Sequence, residues 1–262
     1  MTASMNCNLP DTVVVTGTSS GLGTALCRLL VECGVNTFGV DIAAAPNLLA
    51  QRYTHFKGDV ASDAIWREVS DAISSRASGS LGLVSNAAIL EVGTILEFDR
   101  AAMDRTMRVN FVGTALAFKA ILPHMIERKA GAIVAIASVD ATFAEQQLAV
   151  YAASKAAVRQ LARTVAMDHA RSGIRTNVLS PGPMMAGLFE RHMKSAKDPQ
   201  KFYNTRAARQ PSGEITNPID VARAALFLLS DAAKAMNGAD VTVDGGLTTS
   251  FDFRTGSEGA SV

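Results

Sequence analysis

Asp11-Thr12-Val13-Val14-Val15-Thr16-Gly17-Thr18-Ser19-Ser20-Gly21-Leu22-Gly23 is the stretch whose reading decides the fold. Its first half is a short β-branched run and reads as a buried strand. Its second half is a glycine-rich turn. Beyond the turn, Leu22, Leu26, Leu29 and Leu30 share one face of an amphipathic helix that ends near Gly34. Residues 35–40 form a second apolar run, closed by Asp41. Strand, turn, helix and strand make a βαβ unit, right-handed by the general rule for such crossovers.

Glycines let a backbone approach a phosphate closely, and a helix N-terminus offers free N–H groups at the positive end of its dipole. The spacing here is Gly-x-x-x-Gly-x-Gly rather than the commoner Gly-x-Gly-x-x-Gly. Placed between a strand and a helix, with an acid closing the next strand, the turn predicts dinucleotide binding. Asp41 lies 18 residues past Gly23, near the spacing at which an acid accepts from the adenosine ribose hydroxyls. Such a carboxylate repels a 2′-phosphate, and no Lys or Arg stands at positions 18–20 or 42–45 to receive one. The expected cofactor is NAD rather than NADP.

The same rhythm continues. Apolar strands are expected at 54–60, 81–86, 131–137, 173–179 and 239–243, separated by helices at about 63–75, 101–127, 151–171 and 218–230. The long helical stretch is interrupted near Gly113 and ends beyond Pro123. Uninterrupted apolar strands alternating with helices predict an α/β fold, a parallel sheet covered on both faces. Ligands of such sheets sit beyond the strand C-termini, where Gly17, Asp41, Asp59, Asn86, Ser138 and Ser180 all fall. Residues 184–217, mixed apolar and basic, break the rhythm and read as an irregular insertion of the kind that forms lids or binding loops. Residues 247–262, rich in Ser, Thr and Gly, read as a surface tail.

Composition narrows the class. The 262 residues are 48% hydrophobic and 19% charged with a net charge of +1, so nothing argues for a nucleic-acid or anionic-membrane partner. Apolar runs break within about ten residues, which predicts no membrane span, and no signal-peptide pattern opens the chain. The expectation is a soluble, cytoplasmic protein. Cys7, Cys27 and Cys33 are odd in number and lack close His partners, which argues against disulfides and against any metal. Cys27 and Cys33 fall in the first helical pattern and are expected to be buried thiols.

Val150-Tyr151-Ala152-Ala153-Ser154-Lys155-Ala156 reads as helix, and its spacing of four puts the Tyr151 phenol and the Lys155 ammonium on one face. A phenol titrates near 10. To serve as a base near neutrality it must fall by roughly 3 units, and a neighbouring ammonium acts in that direction. The alanines of this helix (152, 156, 157, 162 and 166) keep it narrow enough for burial on more than one side.

Thr16-Gly17-x-x-x-Gly21-x-Gly23, Asn86-Ala87, Asn110, Ser138, Tyr151-x-x-x-Lys155 and Pro181-Gly182, in this order and spacing, resemble the short-chain dehydrogenase/reductase family in its Tyr-x-x-x-Lys branch. The likeness spans roughly residues 11–246 and includes Asp244-Gly245-Gly246 after the last strand. It implies a single Rossmann-type domain over residues 1–262, a doubly wound parallel sheet of about seven strands, a nicotinamide cofactor, and a homotetramer or homodimer. It also implies interconversion of an alcohol and a carbonyl compound. Residue by residue, the resemblance makes Tyr151 the proton donor or acceptor. Lys155 lowers its pKa and binds the nicotinamide ribose, Ser138 bonds the substrate oxygen, and Asn110 supports a water chain toward Lys155. The cofactor contacts it implies are Gly17, Ser19, Ser20, Gly21, Leu22 and Gly23 of the turn, then Asp41 and Ile42. Asp59 and Val60 flank the adenine, Asn86, Ala87 and Ala88 the adenosine ribose, and Tyr151, Lys155, Pro181, Gly182 and Met184 complete the set. Ser138, Asp140, Phe143, Gln147, Tyr151, Leu188 and Phe189, with Ile89 and Met184, are expected to line a mainly apolar pocket for a cyclic or aromatic secondary alcohol or ketone.

Three positions depart from the family's usual pattern. Ser85 stands where an Asn is common, Ala88 where a Gly is common, and Ala186 where a Thr often binds the nicotinamide amide. Asp140 is unusual two residues past Ser138 and is expected either to meet a polar substrate group or to cap its loop. The competing reading is a non-catalytic NAD(H)-sensing protein on the same fold, which need not keep Asn110, Ser138, Tyr151 and Lys155. An enoyl reductase is disfavoured because that branch places more residues between Tyr and Lys. A methyltransferase has no use for the pair.

Overall fold

Strand β1 (Thr12–Thr16) is buried along its whole length and sends Val13 and Val15 to one face of the sheet and Val14 to the other. This two-sided burial is why the run has no polar alternation. The computed structural model describes residues 8–46 and 51–249. Cys7 and tail residues 250–262 lie outside the described residues.

The chain continues through α1 (Gly21–Glu32), β2 (Asn36–Asp41), β3 (Tyr53–Lys57), α2 (Asp63–Arg76) and β4 (Leu81–Ser85). The second half comprises α3 (Arg100–Met107), α4 (Gly113–Arg128), β5 (Gly131–Ile136), α5 (Ala149–His169), β6 (Ile174–Pro181), α6 (Gly187–Ser195), α7 (Pro199–Ala207), α8 (Pro218–Leu229) and β7 (Asp240–Val243). All strands pair in parallel, in the order β3-β2-β1-β4-β5-β6-β7. The order reverses direction between β1 and β4, and the crevice beyond their C-termini is where such sheets bind ligands.

One core layer joins Phe38, Phe56, Trp66, Leu83, Ile121, Met125, Ile133 and Val158 under α2, α4 and α5. The other joins Val13, Val15, Leu26, Leu30, Leu179, Leu228 and Leu229 under α1 and α8. Burying this apolar surface at about 25 cal/mol per Å2 is the main force that holds the helices to the sheet.

Two expectations are corrected. Cys27 is buried, but Cys33 is exposed, because α1 ends at Glu32 and Cys33 is its C-cap. Residues 184–217 are not one irregular loop, since they hold α6 and α7, each only nine residues long. The long helical stretch is interrupted where expected, by a π-helical turn, Arg108–Val112, next to Gly113, and α4 runs past Pro123 to Arg128. Among the described residues the continuous helical stretch Arg100–Arg128, 29 residues long, passes the length and composition test for a membrane span, as core helices of soluble proteins also do. Its buried Phe118, Ile121, Leu122 and Met125 belong to the core against the sheet, which accounts for its apolar character.

Candidate active site

The turn after β1 is built for close approach. Gly17 has φ +73°, and a Cβ there would lie 2.8 Å from Ala87 Cα. A Cβ on Gly23 would lie 1.9 Å from the Gly17 carbonyl oxygen, so only glycine fits. Asn86 holds the turn from below: its Nδ2 donates to the carbonyls of Thr16 (2.9 Å) and Gly17 (3.3 Å). Thr16 Oγ1 in return accepts from the backbone N–H groups of Asn86 and Ala87, each at 2.9 Å. Gly187, which opens α6, stands against Gly21, which opens α1, and a Cβ on Gly21 would come within 3.1 Å of Gly187 Cα. Two helix N-termini thus meet over the turn, and both favour negative charge. Ala186 is the N-cap of α6 and offers no side-chain cap, the structural consequence of lacking the usual Thr.

Asp41 closes β2 beside this turn. Its Oδ2 accepts from Ser19 N and its Oδ1 from Ala43 N, both at 2.9 Å. Asp59 is engaged by Arg108, whose Nη2 lies 2.7 Å from Oδ2.

From Asp41 a cavity of about 1390 Å3 runs over the glycine turn to the ends of β5 and β6. It brings together most of the residues singled out in the sequence: Gly17, Ser19, Ser20, Gly21, Leu22, Asp41, Ile42, Asp59, Val60, Asn86, Ala87, Ala88, Gly182 and Met184 along one limb. Ser138, Asp140, Phe143, Gln147, Tyr151, Leu188 and Phe189 line the other. Gly23, Asn110, Lys155 and Pro181 lie behind the wall rather than in it. The glycine cradle, the paired helix N-termini and the Asp41 carboxylate fit the pyrophosphate and ribose of a dinucleotide.

At the far limb, Ser138 leaves β5 in extended conformation and caps the short helical turn Val139–Ala141. Its Oγ accepts from Asp140 N (3.1 Å) and donates to Asp140 Oδ2 (3.0 Å). Burial, aided by Glu145, pushes the Asp140 carboxyl up to about 6, against the hydrogen bond from Ser138 and the charge of Arg206. Burial also raises the Tyr151 phenol, and the negative charge of Asp140 adds to this, opposed by a hydrogen bond with Ser138.

Lys155 is 3% exposed. Its Nζ donates to the Ile136 carbonyl (2.8 Å) and lies 5.9 Å from the centroid of the Tyr151 ring. Desolvation lowers it to about 8. The expected depression of Tyr151 by Lys155 is therefore not what this geometry shows, because burial and Asp140 win and the ammonium is spent on a carbonyl.

Asn110 sits in the π-turn, 1% exposed. Its Oδ1 accepts from Ile89 N (2.8 Å), and its Nδ2 donates to Ile89 O (3.0 Å) and Ser154 Oγ (2.9 Å). It clamps the loop after β4 to α5. Ser85, in place of the usual Asn, donates to Thr114 Oγ1 (3.0 Å), which donates to Asn110 O (2.8 Å). A hydroxyl relay thus ties β4 to α4.

The sequence reading missed the α7 side of the cavity. Phe202 packs on Phe189 (5.6 Å between centroids) and on His192 (5.0 Å). Arg206 pairs with Glu145 at 2.5 Å, joining α7 to the loop before α5. The basic content of residues 184–217 was the available signal. Among the described residues no cluster of three or more His, Cys, Asp or Glu could hold a metal.

Fold and cleft together define a Rossmann-type dinucleotide-binding protein. Comparison with known proteins narrows this. A family model described as enoyl-(acyl carrier protein) reductase matches residues 17–248. The cis-4-hydroxycyclohexanecarboxylate dehydrogenase of Sinomonas cyclohexanicum is 38% identical, over 90% of this chain and 95% of that one. The ligand-free aldohexose dehydrogenase of Thermoplasma acidophilum superposes with a TM-score of 0.86 at 29% identity, covering 93% of this chain and 96% of that one. A gluconate 5-dehydrogenase from Burkholderia cenocepacia, in complex with NADP and tartrate, superposes with a TM-score of 0.83 at 32% identity, covering 91% and 95%. The chain belongs to the short-chain dehydrogenase/reductase family, whose fold binds a nicotinamide dinucleotide.

Proposed function

We propose that the protein is an NAD-dependent dehydrogenase that interconverts a secondary alcohol and its ketone, with Tyr151 as general acid and base. The observation that carries this reading is that Tyr151 and Ser138 line the same cavity as the glycine turn and Asp41. When bound, the nicotinamide cofactor accepts or delivers the hydride. The protein's own part is to hold and move one proton. Raised by burial, Tyr151 is protonated at neutral pH and stands ready to donate to a carbonyl oxygen. In the oxidative direction the same oxygen receives the alcohol proton. Ser138 supplies the hydrogen bond that stabilises charge on the substrate oxygen. Lys155, fixed by Ile136 O, and Asn110, fixed to Ile89 and Ser154, position α5 and the loop that faces it. Asp41 selects NAD by accepting from ribose hydroxyls and repelling a 2′-phosphate.

Leu188, Phe189 and Ile89 give the substrate limb an apolar wall, which suits a ring. The hydroxycyclohexane substrate named for the Sinomonas relative supports the same choice. Helices α6 and α7 act as the lid over this limb, residues 184–217. A homotetramer or homodimer is supported by Leu96, 94% exposed, together with exposed Ile95, Val112, Ile126 and Met167.

The test is growth of reduced-cofactor absorbance with NAD and, separately, NADP, over cyclic, aromatic and polyhydroxy secondary alcohols. Turnover of cyclic alcohols with NAD supports the reading. Tight NADH binding with no turnover across the panel moves the protein to the sensing class.

Asp140 predicts a pH dependence. Its pKa is raised to about 6, so it is ionised above that pH and accepts the Ser138 hydrogen bond. Below about 6 it is protonated, can donate to Ser138 Oγ, and frees the serine hydroxyl for the substrate oxygen. The kcat for ketone reduction should therefore rise as pH falls through about 6. Asp140→Asn should remove this step, and an unchanged step in the variant would exclude the role.

A further inference from the structure

We propose that the α7 end of the substrate limb is an anion subsite centred on Arg206, so that the alcohol oxidised is a hydroxy acid; this rests on the dehydrogenase reading above. The substrate limb is lined by two acids, Asp140 and Glu145, and three arginines, Arg191, Arg206 and Arg209. Arg206 is the half-buried one. Its Nη1 meets Glu145 Oε1 at 2.5 Å, and its guanidinium lies 5.2 Å from the centroid of Phe202. The fork is therefore held in place before any ligand arrives. A guanidinium has five donors and binds carboxylates in pairs of parallel bonds, so one monodentate contact to Glu145 leaves capacity for a second carboxylate.

One further observation points to an anion. The guanidinium groups of Arg191 and Arg209 make no hydrogen bond or ion pair among the described residues, so the rim carries positive charge that the two acids do not fully offset. Asp140, bonded to Ser138, stands within electrostatic reach of both Arg206 and Glu145. The hydroxyl goes toward Ser138 and Tyr151, and the carboxylate goes toward the Arg206 fork.

The experiment compares cis-4-hydroxycyclohexanecarboxylate with cis-4-methylcyclohexanol as substrates with NAD. Alongside, protein saturated with NAD is titrated calorimetrically with cyclohexanecarboxylate, which lacks the reacting hydroxyl. The wild type should favour the acid by about tenfold or more in kcat/KM. Arg206→Gln should raise KM for the acid about tenfold more than for the neutral alcohol and weaken cyclohexanecarboxylate binding by a similar factor. Arg206→Lys, which keeps the charge without the fork, should fall between the two and guards against a variant that fails to fold. Glu145→Gln releases Arg206 and should tighten the acid. If Arg206 only braces α7 through Glu145, then Arg206→Gln and Glu145→Gln will raise KM alike for both substrates, and the subsite is overturned. Equal use of acid and neutral alcohol, with binding indifferent to Arg206, overturns it while leaving the dehydrogenase intact. Arg206-dependent binding of cyclohexanecarboxylate without turnover of any alcohol does the reverse.

Discussion

Tyr151→Phe is expected to lower kcat by about 10^3-fold in both directions while leaving NADH affinity within about threefold of wild type. The change removes one oxygen from a side chain that is otherwise packed in the cavity wall, so the ring keeps its contacts and the helix its register. What is lost is the proton at the reacting oxygen. General acid–base catalysis contributes about 10^2–10^4 to such reactions. The upper part of that range suits a site where the proton has no easy substitute. The neighbour best placed to substitute is Asp140, bonded to Ser138 and raised to about 6. If the variant keeps more than about a tenth of wild-type kcat, Tyr151 is not the group that transfers the proton. Asp140 through Ser138 becomes the next candidate, and Tyr151→Phe combined with Asp140→Asn separates them. Calorimetry with NADH and a thermal melt accompany the kinetics, because unchanged binding and stability show that the loss is chemical.

The sheet was legible because its central strands are buried on both faces. A run such as Thr12–Thr16 or Gly131–Ile136 carries no alternation to confuse, and all seven strands that the rhythm implied are present in one parallel sheet. The cofactor limb was legible for a related reason. Gly17 and Gly23 answer to backbone constraints that no other residue meets, and Asp41 is fixed by its place at the end of β2. What the sequence hid were interactions between segments far apart. The pairing of Arg206 with Glu145 spans the chain from α7 to the loop before α5, and no local pattern announces it. Helix α7 has almost no apolar face, and α6, though amphipathic, is only nine residues long, so neither stood out from a loop. The spacing of four placed Tyr151 and Lys155 on one face correctly, but spacing says nothing of the Ile136 carbonyl, which takes the ammonium. Cys33 was misjudged by one residue, since α1 ends at Glu32 and Cys33 caps it at the surface.

The other large effect is expected at Asp41. In the ligand-free site each carboxylate oxygen accepts one backbone N–H, from Ser19 and Ala43, both at 2.9 Å. Each oxygen keeps capacity for another donor, so the pair of ribose hydroxyls can be added without displacing those contacts. A hydrogen bond to a charged acceptor contributes about 1.5–3 kcal/mol. Two of them amount to about 3–6 kcal/mol, or about 10^2–10^4 in NAD affinity. Asp41→Ala should therefore raise the KM for NAD by about 10^2-fold or more. The same change removes the charge that repels a 2′-phosphate. Use of NADP should therefore improve. The ratio of kcat/KM for NAD over NADP is expected to invert. Asp41→Asn provides the control for geometry: it keeps acceptor and shape at one oxygen but loses the charge, and should show the repulsion relieved with about a tenfold smaller loss of NAD affinity. Wild-type preference for NADP, or an Asp41→Ala variant with unchanged preference, would place cofactor selection elsewhere in the cleft, with Arg108 at Asp59 the first position to examine.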